Sequence, residues 1–206
     1  IVNLCMLIKS EYSPIASVLY LCIILMGIFL YNCENTITDI PVSINYGVVI
    51  NEINYHSLDT SIPEDWVELY NPMNETIDIG LWVFKDDNNN VFTFPEDIFL
   101  QSGHYLVICK NIDSFAQLFP SISNVMGNFE LGLDAAGERV RLFDSNGLLV
   151  DEVEYDDEDP WPVEADGNGP TLELIHPSLD NNKASNWEAS TGNGTPGEIN
   201  SVYDDE

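Results

Sequence analysis

Large apolar residues are distributed along this chain in two different patterns. Residues 15–31 form an uninterrupted apolar run without a charged side chain. After about residue 47, apolar residues occur instead in short stretches separated by Gly, Pro, Asn and Asp. A continuous run of this length is typical of a membrane-inserting helix, whereas short stretches between turn residues are typical of β-strands.

The short stretches are rich in Val, Ile, Phe, Tyr and Trp, which fit a pleated, half-buried surface. In one of them Val67 and Leu69 share a face while Glu68 lies on the other, the period of two expected of a strand. Together they predict strands at residues 48–55, 66–70, 81–85, 91–94, 105–110, 140–143, 148–155 and 171–175. Strands of this number and spacing indicate an all-β sandwich.

Local signals refine this picture at three places. Asn146-Gly147 predicts a type I′ hairpin turn, whose two central residues both need positive φ. The alternation of residues 150–155 slips once, between Asp151 and Val153, which indicates a bulge or two covered faces. Ser114 is suited to cap a short helix at residues 115–119, which Pro120 would end.

The apolar run predicts an export or anchoring helix. Lys9 precedes it, and Glu34 and Asp39 follow, an asymmetry that places the C-terminal side outside the cytoplasm. Cys33 follows the run directly and resembles a bacterial lipidation site, although Tyr31 and Asn32 are larger than such sites usually carry. A lipoprotein, an uncleaved signal-anchor and a secreted protein all remain open, with residues 1–33 as signal or anchor and 34–46 as linker.

The amino-acid composition limits the classes of binding partner that the chain can have. The 206 residues carry a net charge of −29, which excludes a nucleic-acid backbone as a partner because phosphate binding needs clustered Lys and Arg. The same charge restricts membrane contact to the N-terminal segment. With 45% hydrophobic residues the chain is too apolar to be a disordered acidic tail. Cys109 lies in a predicted strand, which favours a buried, inert thiol.

Several segments, in order, resemble the lamin tail domain in its bacterial exported form. The first are residues 48–55 (VVINEINY), 65–72 (DWVELYNP) and 77–82 (IDIGLW). Residues 92–95 (FTFP), 103–108 (GHYLVI), 137–144 (GERVRLFD) and 150–151 (VD) follow. The last are residues 160–162 (PWP), 165–169 (ADGNG), 172–174 (LEL), 186–187 (NW) and 194–197 (GTPG).

The resemblance implies an immunoglobulin-like β-sandwich over residues 47–200, preceded by the hydrophobic helix and followed by an acidic end at 201–206. It also implies a non-catalytic module for binding, adhesion or spacing on an exported or surface-anchored protein. The expected partner is a protein or glycan at the cell surface. The alternatives are a calcium-stabilised surface-binding domain and an accessory domain of a larger extracellular hydrolase.

The motif residues are interpreted mainly as architecture. The four tryptophans are expected to bury their rings and to hydrogen-bond their indole N–H groups. Polar residues inside strands must be paired if they are buried. The structural set comprises Asn51, Glu52, Trp66, Glu68, Asn71, Pro72, Trp82, Trp161, Asp166, Gly167, Trp187, Pro196 and Gly197.

No catalytic motif is present. Asp59-Thr60-Ser61 resembles the aspartic protease loop, but that chemistry needs two such aspartates and the chain has one copy. The three histidines have no zinc-binding spacing. A cryptic hydrolase would instead require a cleft with at least two carboxyl groups of perturbed pKa.

Calcium is the alternative for two acidic loops. Asp86 and Asp87 begin a turn of five oxygen-bearing side chains, and Asp156, Asp157 and Asp159 lie in a second acidic segment. Ca²⁺ takes six to eight oxygen ligands, which such loops supply. Neither loop has EF-hand spacing, and a solvated acidic loop is the favoured interpretation; no other cofactor is expected.

Overall fold

The chain divides into two units, Ile1–Ser43 and Ile44–Glu206. The computed structural model describes residues 47–59, 62–87, 90–128 and 132–205, all within the second unit. These residues form strands, one α-helix and two short 3₁₀ turns. The strands are β1 (Val49–Asn54), β2 (Trp66–Tyr70), β3 (Ile77–Asp78), β4 (Val83–Lys85), β5 (Val91–Thr93), β6 (Phe99–Leu100), β7 (Tyr105–Cys109), β8 (Val125–Gly127), β9 (Glu138–Phe143), β10 (Leu149–Tyr155), β11 (Leu172–Leu174) and β12 (Trp187–Ala189).

The strands form two main sheets. The six-stranded sheet has the order β12-β11-β1-β2-β7-β8, and the four-stranded sheet has the order β10-β9-β4-β5. Pairing is antiparallel except between β7 and β8, and β3 and β6 form a small separate pair. This is the all-β, immunoglobulin-like sandwich that the sequence predicts.

The core lies between the two sheets, because one face of each strand is apolar. Ile50, Val67 and Leu69 from the six-stranded sheet join Phe84 and Leu142 from the four-stranded sheet in one cluster of fully buried side chains. Removal of such side chains from water is the main stabilising contribution to a fold of this kind, about 25 cal/mol per Å² of apolar surface.

A second apolar cluster lies on the opposite, outer face of the six-stranded sheet. Trp66, Val107 and Cys109 project from β2 and β7 and pack against Phe115 of the helix. The ring centroids of Trp66 and Phe115 are 5.7 Å apart in an edge-to-face arrangement, which favours aromatic pairs. The helix therefore covers one half of this outer face.

The helix differs from its prediction. It spans Ile112–Leu118 (α1), and Asn111 rather than Ser114 caps it by accepting hydrogen bonds from the backbone N–H groups of Asp113 and Ser114. Ser114 lies inside the first turn, and its hydroxyl donates to the carbonyl of Pro63, 2.9 Å away. Both residue types cap helices well, so the tertiary contact decides between them.

The β9–β10 hairpin also differs in detail. Gly147 has a φ of +79°, but Asn146 is not in the left-handed region, so the turn is not type I′. The Asp144 carboxylate accepts hydrogen bonds from the N–H groups of Asn146 and Leu148, and these bonds hold the loop between β9 and β10.

β10 does contain a bulge, but it lies between Leu149 and Asp151 rather than between Asp151 and Val153, where the alternation predicts it; pairing with β9 is regular from Asp151 to Tyr155. Four strands were not predicted, namely β3, β6, β8 and β12. Each has only two or three residues, too few for an alternating pattern to be recognised.

Candidate functional site

Four glutamates cross the outer face of the six-stranded sheet side by side. Glu52 on β1 is the direct cross-strand partner of Glu68 on β2 and of Glu173 on β11. Glu173 in turn is opposite Glu188 on β12. We call these residues the glutamate row. Like charges at directly opposite positions destabilise a sheet, so this arrangement requires compensation elsewhere.

Strand alternation explains why the row lies outside the core. Val67 and Leu69 fill the core, so Glu68 between them must point to the outer face. Leu172 and Leu174 place Glu173 in the same way. In β1 the register shifts between Ile50 and Glu52, and this bulge turns Glu52 outward although Ile50 faces the core.

The outer position does not leave the row in water. Glu52, Glu68 and Glu173 are each 0% exposed, and Glu188 alone is exposed. The cover is a C-terminal segment, residues 194–202, which we call the strap. It runs over the three inner glutamates and satisfies most of their oxygens.

The strap donates hydrogen bonds to each buried glutamate. The N–H of Thr195 lies 3.1 Å from Glu52 Oε1, and the N–H of Gly197 lies 2.5 Å from Glu68 Oε2. The hydroxyl of Thr195 lies 2.7 Å from Glu173 Oε1. Backbone donors matched to carboxylates hold this segment without regular secondary structure.

Further donors complete the network. Thr171 Oγ1 donates to Glu52 Oε1 at 2.5 Å, and Ser201 Oγ donates to Glu173 Oε2 at 2.7 Å. Asn51 Nδ2 lies within hydrogen-bond distance of both Glu68 Oε1 (3.0 Å) and Asn200 Oδ1 (2.7 Å). The buried polar residues Asn51, Glu52 and Glu68 therefore have partners.

No basic side chain in the described part of the chain neutralises the row. The five Lys and Arg side chains of the described residues contact other groups. Lys85 lies over the ring of Phe143, and Lys110 pairs with Glu64 and Asp65. Arg139 and Arg141 both pair with Asp87, and Lys183 pairs with Asp180. Buried carboxylates without a cation are costly, which favours their neutral form.

The pKa values follow from this environment. Burial, together with the charges of Glu68 and Glu173, raises the pKa of Glu52 well above its usual value. Burial raises the pKa of Glu68 to about 8. Glu52 Oε2 also has no hydrogen-bond partner within the described residues. The environment therefore favours retention of protons by Glu52 and Glu68 at neutral pH.

Perturbed carboxyl pairs can act as acid–base catalysts, but such a role requires contact with a substrate. Here the strap and the sheet enclose the side chains of Glu52 and Glu68 completely. Across the described ranges, no group of three or more His, Cys, Asp or Glu side chains is placed to hold a metal ion. In this state the three inner glutamates accept the strap's hydrogen bonds, and Glu52 and Glu68 bind protons.

The acidic loops of the calcium alternative are placed elsewhere. Asp86 is buried, and its carboxylate accepts hydrogen bonds from the backbone and side-chain nitrogens of Asn90. Asp87 pairs with Arg141 at 3.2 Å. Asp156 and Asp159 are exposed and Asp157 is half-buried. The Asp86 and Asp87 carboxylates thus already have partners within the protein.

All four tryptophans are buried, at 0–8% exposure. The indole N–H of Trp187 donates to the carbonyl of Asn181 at 2.7 Å. Trp66 departs from the expectation, because its indole N–H has no hydrogen-bond partner within the described residues. Its ring instead packs edge-on against Phe115 and Phe119, where apolar contact dominates.

The remaining motif residues shape turns. Asn71 is buried, and its amide donates to the carbonyls of Glu75 and Leu100 while its oxygen accepts from the N–H of Met73, beside Pro72. Asp166 pairs with His56 at 2.6 Å, next to Gly167 at a φ of +69°.

Two acidic residues, Glu173 and Asp151, were not identified as site residues from the sequence. Glu173 lies in a Leu-Glu-Leu alternation that could have identified it as a partner of Glu68. Asp151 was also missed: its carboxylate accepts hydrogen bonds from the N–H of Ile50 (2.6 Å) and from Asn181 (2.7 Å), and so joins β10 to β1 at the bulge. Burial raises the pKa of Asp151 to about 6.

Cys109 is buried, and burial raises the pKa of its thiol to about 11, as expected of an inert cysteine. The apolar run at residues 15–31 and Cys33 lie outside the described residues. Within the described ranges, no helix combines the length and the apolar character that a bilayer crossing requires.

Comparison with known proteins gives one family. The profile of the Lamin Tail Domain matches residues 41–157, more than half of the chain. A crystal structure of a DUF4876 family protein from Bacteroides thetaiotaomicron is similar, with 13% identity and a TM-score of 0.45 over 72% of this chain and 69% of that one. A search of curated proteins gives no significant match.

Proposed function

This chain belongs to the lamin tail domain family, and we propose that it serves as an exported, non-catalytic module that binds a partner at the cell surface. The single observation that carries the proposal is the closure of the glutamate row. The carboxyl groups best suited by pKa to catalysis are enclosed by the strap and 0% exposed.

The surface that remains available for binding consists of loops and sheet edges. Each main sheet has two edge strands, β12 and β8 in the six-stranded sheet and β10 and β5 in the four-stranded sheet. Three of them, β5, β8 and β12, have only three residues, which limits uncontrolled strand addition. Exposed apolar side chains such as Leu58, Leu81 and Leu148, at 48–73% exposure, offer contact points for a partner.

Two features of the sequence support export. The apolar run at 15–31 has the length of a signal-anchor, and the acidic domain that follows has a charge suited to solubility outside the cell. Cys33 would carry lipid if the segment is a lipoprotein signal. These features motivate the localisation part of the proposal.

The test of export uses the full chain with a C-terminal epitope tag in a bacterial host. We expect protease added to intact cells or spheroplasts to remove the tag. Ile24→Lys combined with Leu25→Lys should leave the tag protected, since two charges prevent insertion of the apolar run. Cys33→Ser with labelled palmitate separates lipidation from a signal-anchor. A tag that protease reaches only after lysis of wild-type cells would contradict the proposal.

A separate experiment tests the proposal that the protein is non-catalytic. The purified full chain is assayed against peptide, ester, glycoside and phosphoester substrates. We expect no turnover that depends on the row. A hydrolytic activity that is lost in Glu52→Gln and retained in Glu188→Gln, the exposed member of the same row, would show that the row is catalytic.

A further inference from the structure

Four aromatic rings lie together beside the glutamate row. Tyr70 ends β2 and Tyr105 begins β7, and as cross-strand partners they stack with centroids 4.5 Å apart and ring planes 23° apart. Tyr203 follows the strap and lies 5.2 Å from the ring of His176, in the turn after β11. All four side chains are half-buried.

The two pairs belong to one surface. Strand register places them at the same end of the six-stranded sheet: Tyr70 is the partner of Val49 at the start of β1, and β11, which runs antiparallel to β1 with Glu173 opposite Glu52, ends at that same side just before His176. Burial raises the pKa of Tyr105, and Tyr70, Glu68 and Tyr203 add to that effect. A hydrogen bond to Asp205 raises the pKa of Tyr203, and Tyr70 contributes as well. The phenols of Tyr105 and Tyr203 therefore remain neutral at physiological pH, and their rings keep the electron-rich faces of unionised tyrosine.

Backbone contacts hold the surface in place. The N–H of Tyr203 donates to the carbonyl of Asn200 at 3.1 Å, and the N–H of Asp204 donates to the carbonyl of Ile175 at 3.2 Å. The imidazole Nδ1 of His176 lies 2.7 Å from the Ser178 hydroxyl. The strap that covers the glutamates thus also positions two of the rings.

The charge around the rings is negative. Asp204 and Asp205 follow Tyr203 and are exposed. The five Lys and Arg side chains in the described ranges all contact groups outside this surface. With a net charge of −29 for the chain, a cation is attracted to this face and an anion is repelled.

We propose that Tyr70, Tyr105, His176 and Tyr203 form a recognition surface for a quaternary ammonium group of the choline type. Ring faces attract such a cation, and the attraction is greatest when several rings surround it. A trimethylammonium group has no N–H to donate. That property fits this surface, because Glu68 and Glu173 beside it already accept hydrogen bonds from the strap.

This inference deepens the proposed binding role by naming a ligand class, but its test does not depend on export. The full chain is purified in a nonionic detergent that lacks choline groups. Calorimetric titration with choline chloride is compared with titration with 3,3-dimethyl-1-butanol, the neutral isostere, at constant ionic strength. We expect saturable choline binding and affinity for the isostere lower by about tenfold or more, because the isostere lacks the charge.

Variants locate the site. Tyr203→Ala and His176→Ala remove half-exposed rings, and we expect each to weaken choline binding by about fivefold or more. Phe99→Ala is the matched control, because it removes a ring that is 58% exposed on β6, outside the four-ring surface. Circular dichroism confirms that each variant is folded.

Three results would overturn the proposal. The first is equal binding of choline and its neutral isostere, which would remove the role of charge. The second is an equal loss of affinity in Phe99→Ala. The third is the absence of saturable choline binding. Binding of a neutral oligosaccharide through the same rings, without binding of choline, would count as this third result. If the chain is exported but does not bind choline, the proposed exported binding module stands and only the choline-type ligand is rejected.

Discussion

The outer face of the six-stranded sheet is covered in two different ways. On the β2–β7 half, α1 packs Phe115 and Phe119 against Trp66 and nearby apolar side chains. On the β11–β1–β2 half, the strap binds three buried glutamates through hydrogen bonds. The first cover depends on apolar area, which does not titrate, whereas the second depends on individual donors and on protonation.

Loss of a ring from the apolar half should have the largest effect. Phe115→Ala removes a side chain that is 1% exposed, and we expect the free energy of unfolding to fall by about 3–5 kcal/mol at every pH. Phe99→Ala should change it by less than about 0.5 kcal/mol. Urea titrations at two pH values measure both. A loss in Phe115→Ala that varies with pH would show that the two halves are not independent.

A methyl group under the strap should have the next largest effect. Gly194 has a φ of +96°, and a Cβ there would collide with Glu52 Oε1. We expect Gly194→Ala to lower the free energy of unfolding by about 2–3 kcal/mol, from strain plus displacement of the strap. Gly192→Ala is the control, since Gly192 has a φ of +71° but no atom near its Cβ position. Equal thermal shifts in the two variants would mean that the strap does not press on Glu52.

The polar half should also differ from the apolar half in the pH dependence of its stability. The pKa of Glu68 is about 8 in the folded state and lower when unfolded, so the folded state binds more protons between these values. The stability due to Glu68 is therefore complete at acidic pH and is lost as pH rises through 8, by at most about 1.4 kcal/mol per pH unit.

Chemical denaturation between pH 5 and 9 measures this slope. Glu68→Gln should flatten it, because the titrating group is gone, although the amide also fits the strap less well at every pH. Glu188→Gln changes the exposed member of the row and should leave the slope unchanged. A wild-type slope that persists in Glu68→Gln would assign the pH dependence to other groups, such as Asp151.

Calcium should have the smallest effect. The Asp86 and Asp87 carboxylates already bind Asn90 and Arg141, so we expect millimolar Ca²⁺ to leave the thermal midpoint of the full chain unchanged. A ligand of the native state must raise that midpoint by mass action. A rise that disappears in Asp156→Asn combined with Asp157→Asn would instead support the calcium alternative at the second loop.

Most of the fold could be predicted because strand alternation is local. The stretch Trp66–Tyr70 was predicted with the bounds it has, and alternation placed Glu68 opposite the core face. The helix cap could not be resolved, since Asn111 and Ser114 are both good caps and a contact with Pro63 decides between them. The shortest strands were missed because two or three residues carry no period.

The glutamate row shows where prediction from sequence ends. The sequence determines that Glu52, Glu68 and Glu173 are strand residues and that Glu68 and Glu173 point away from the core, because their neighbours are apolar and a strand alternates with a period of two. It does not determine that these side chains are dry.

Only the tertiary structure decides that, because the cover arrives from far along the chain. Thr195 is 143 residues from Glu52, and Gly197 is 129 residues from Glu68. Pairing of β1 with β2 and β11 sets the three carboxyl groups side by side, and the strap then removes them from water. Burial and proximity, rather than residue type, raise the pKa values of Glu52 and Glu68, and the strap closes the row to substrates.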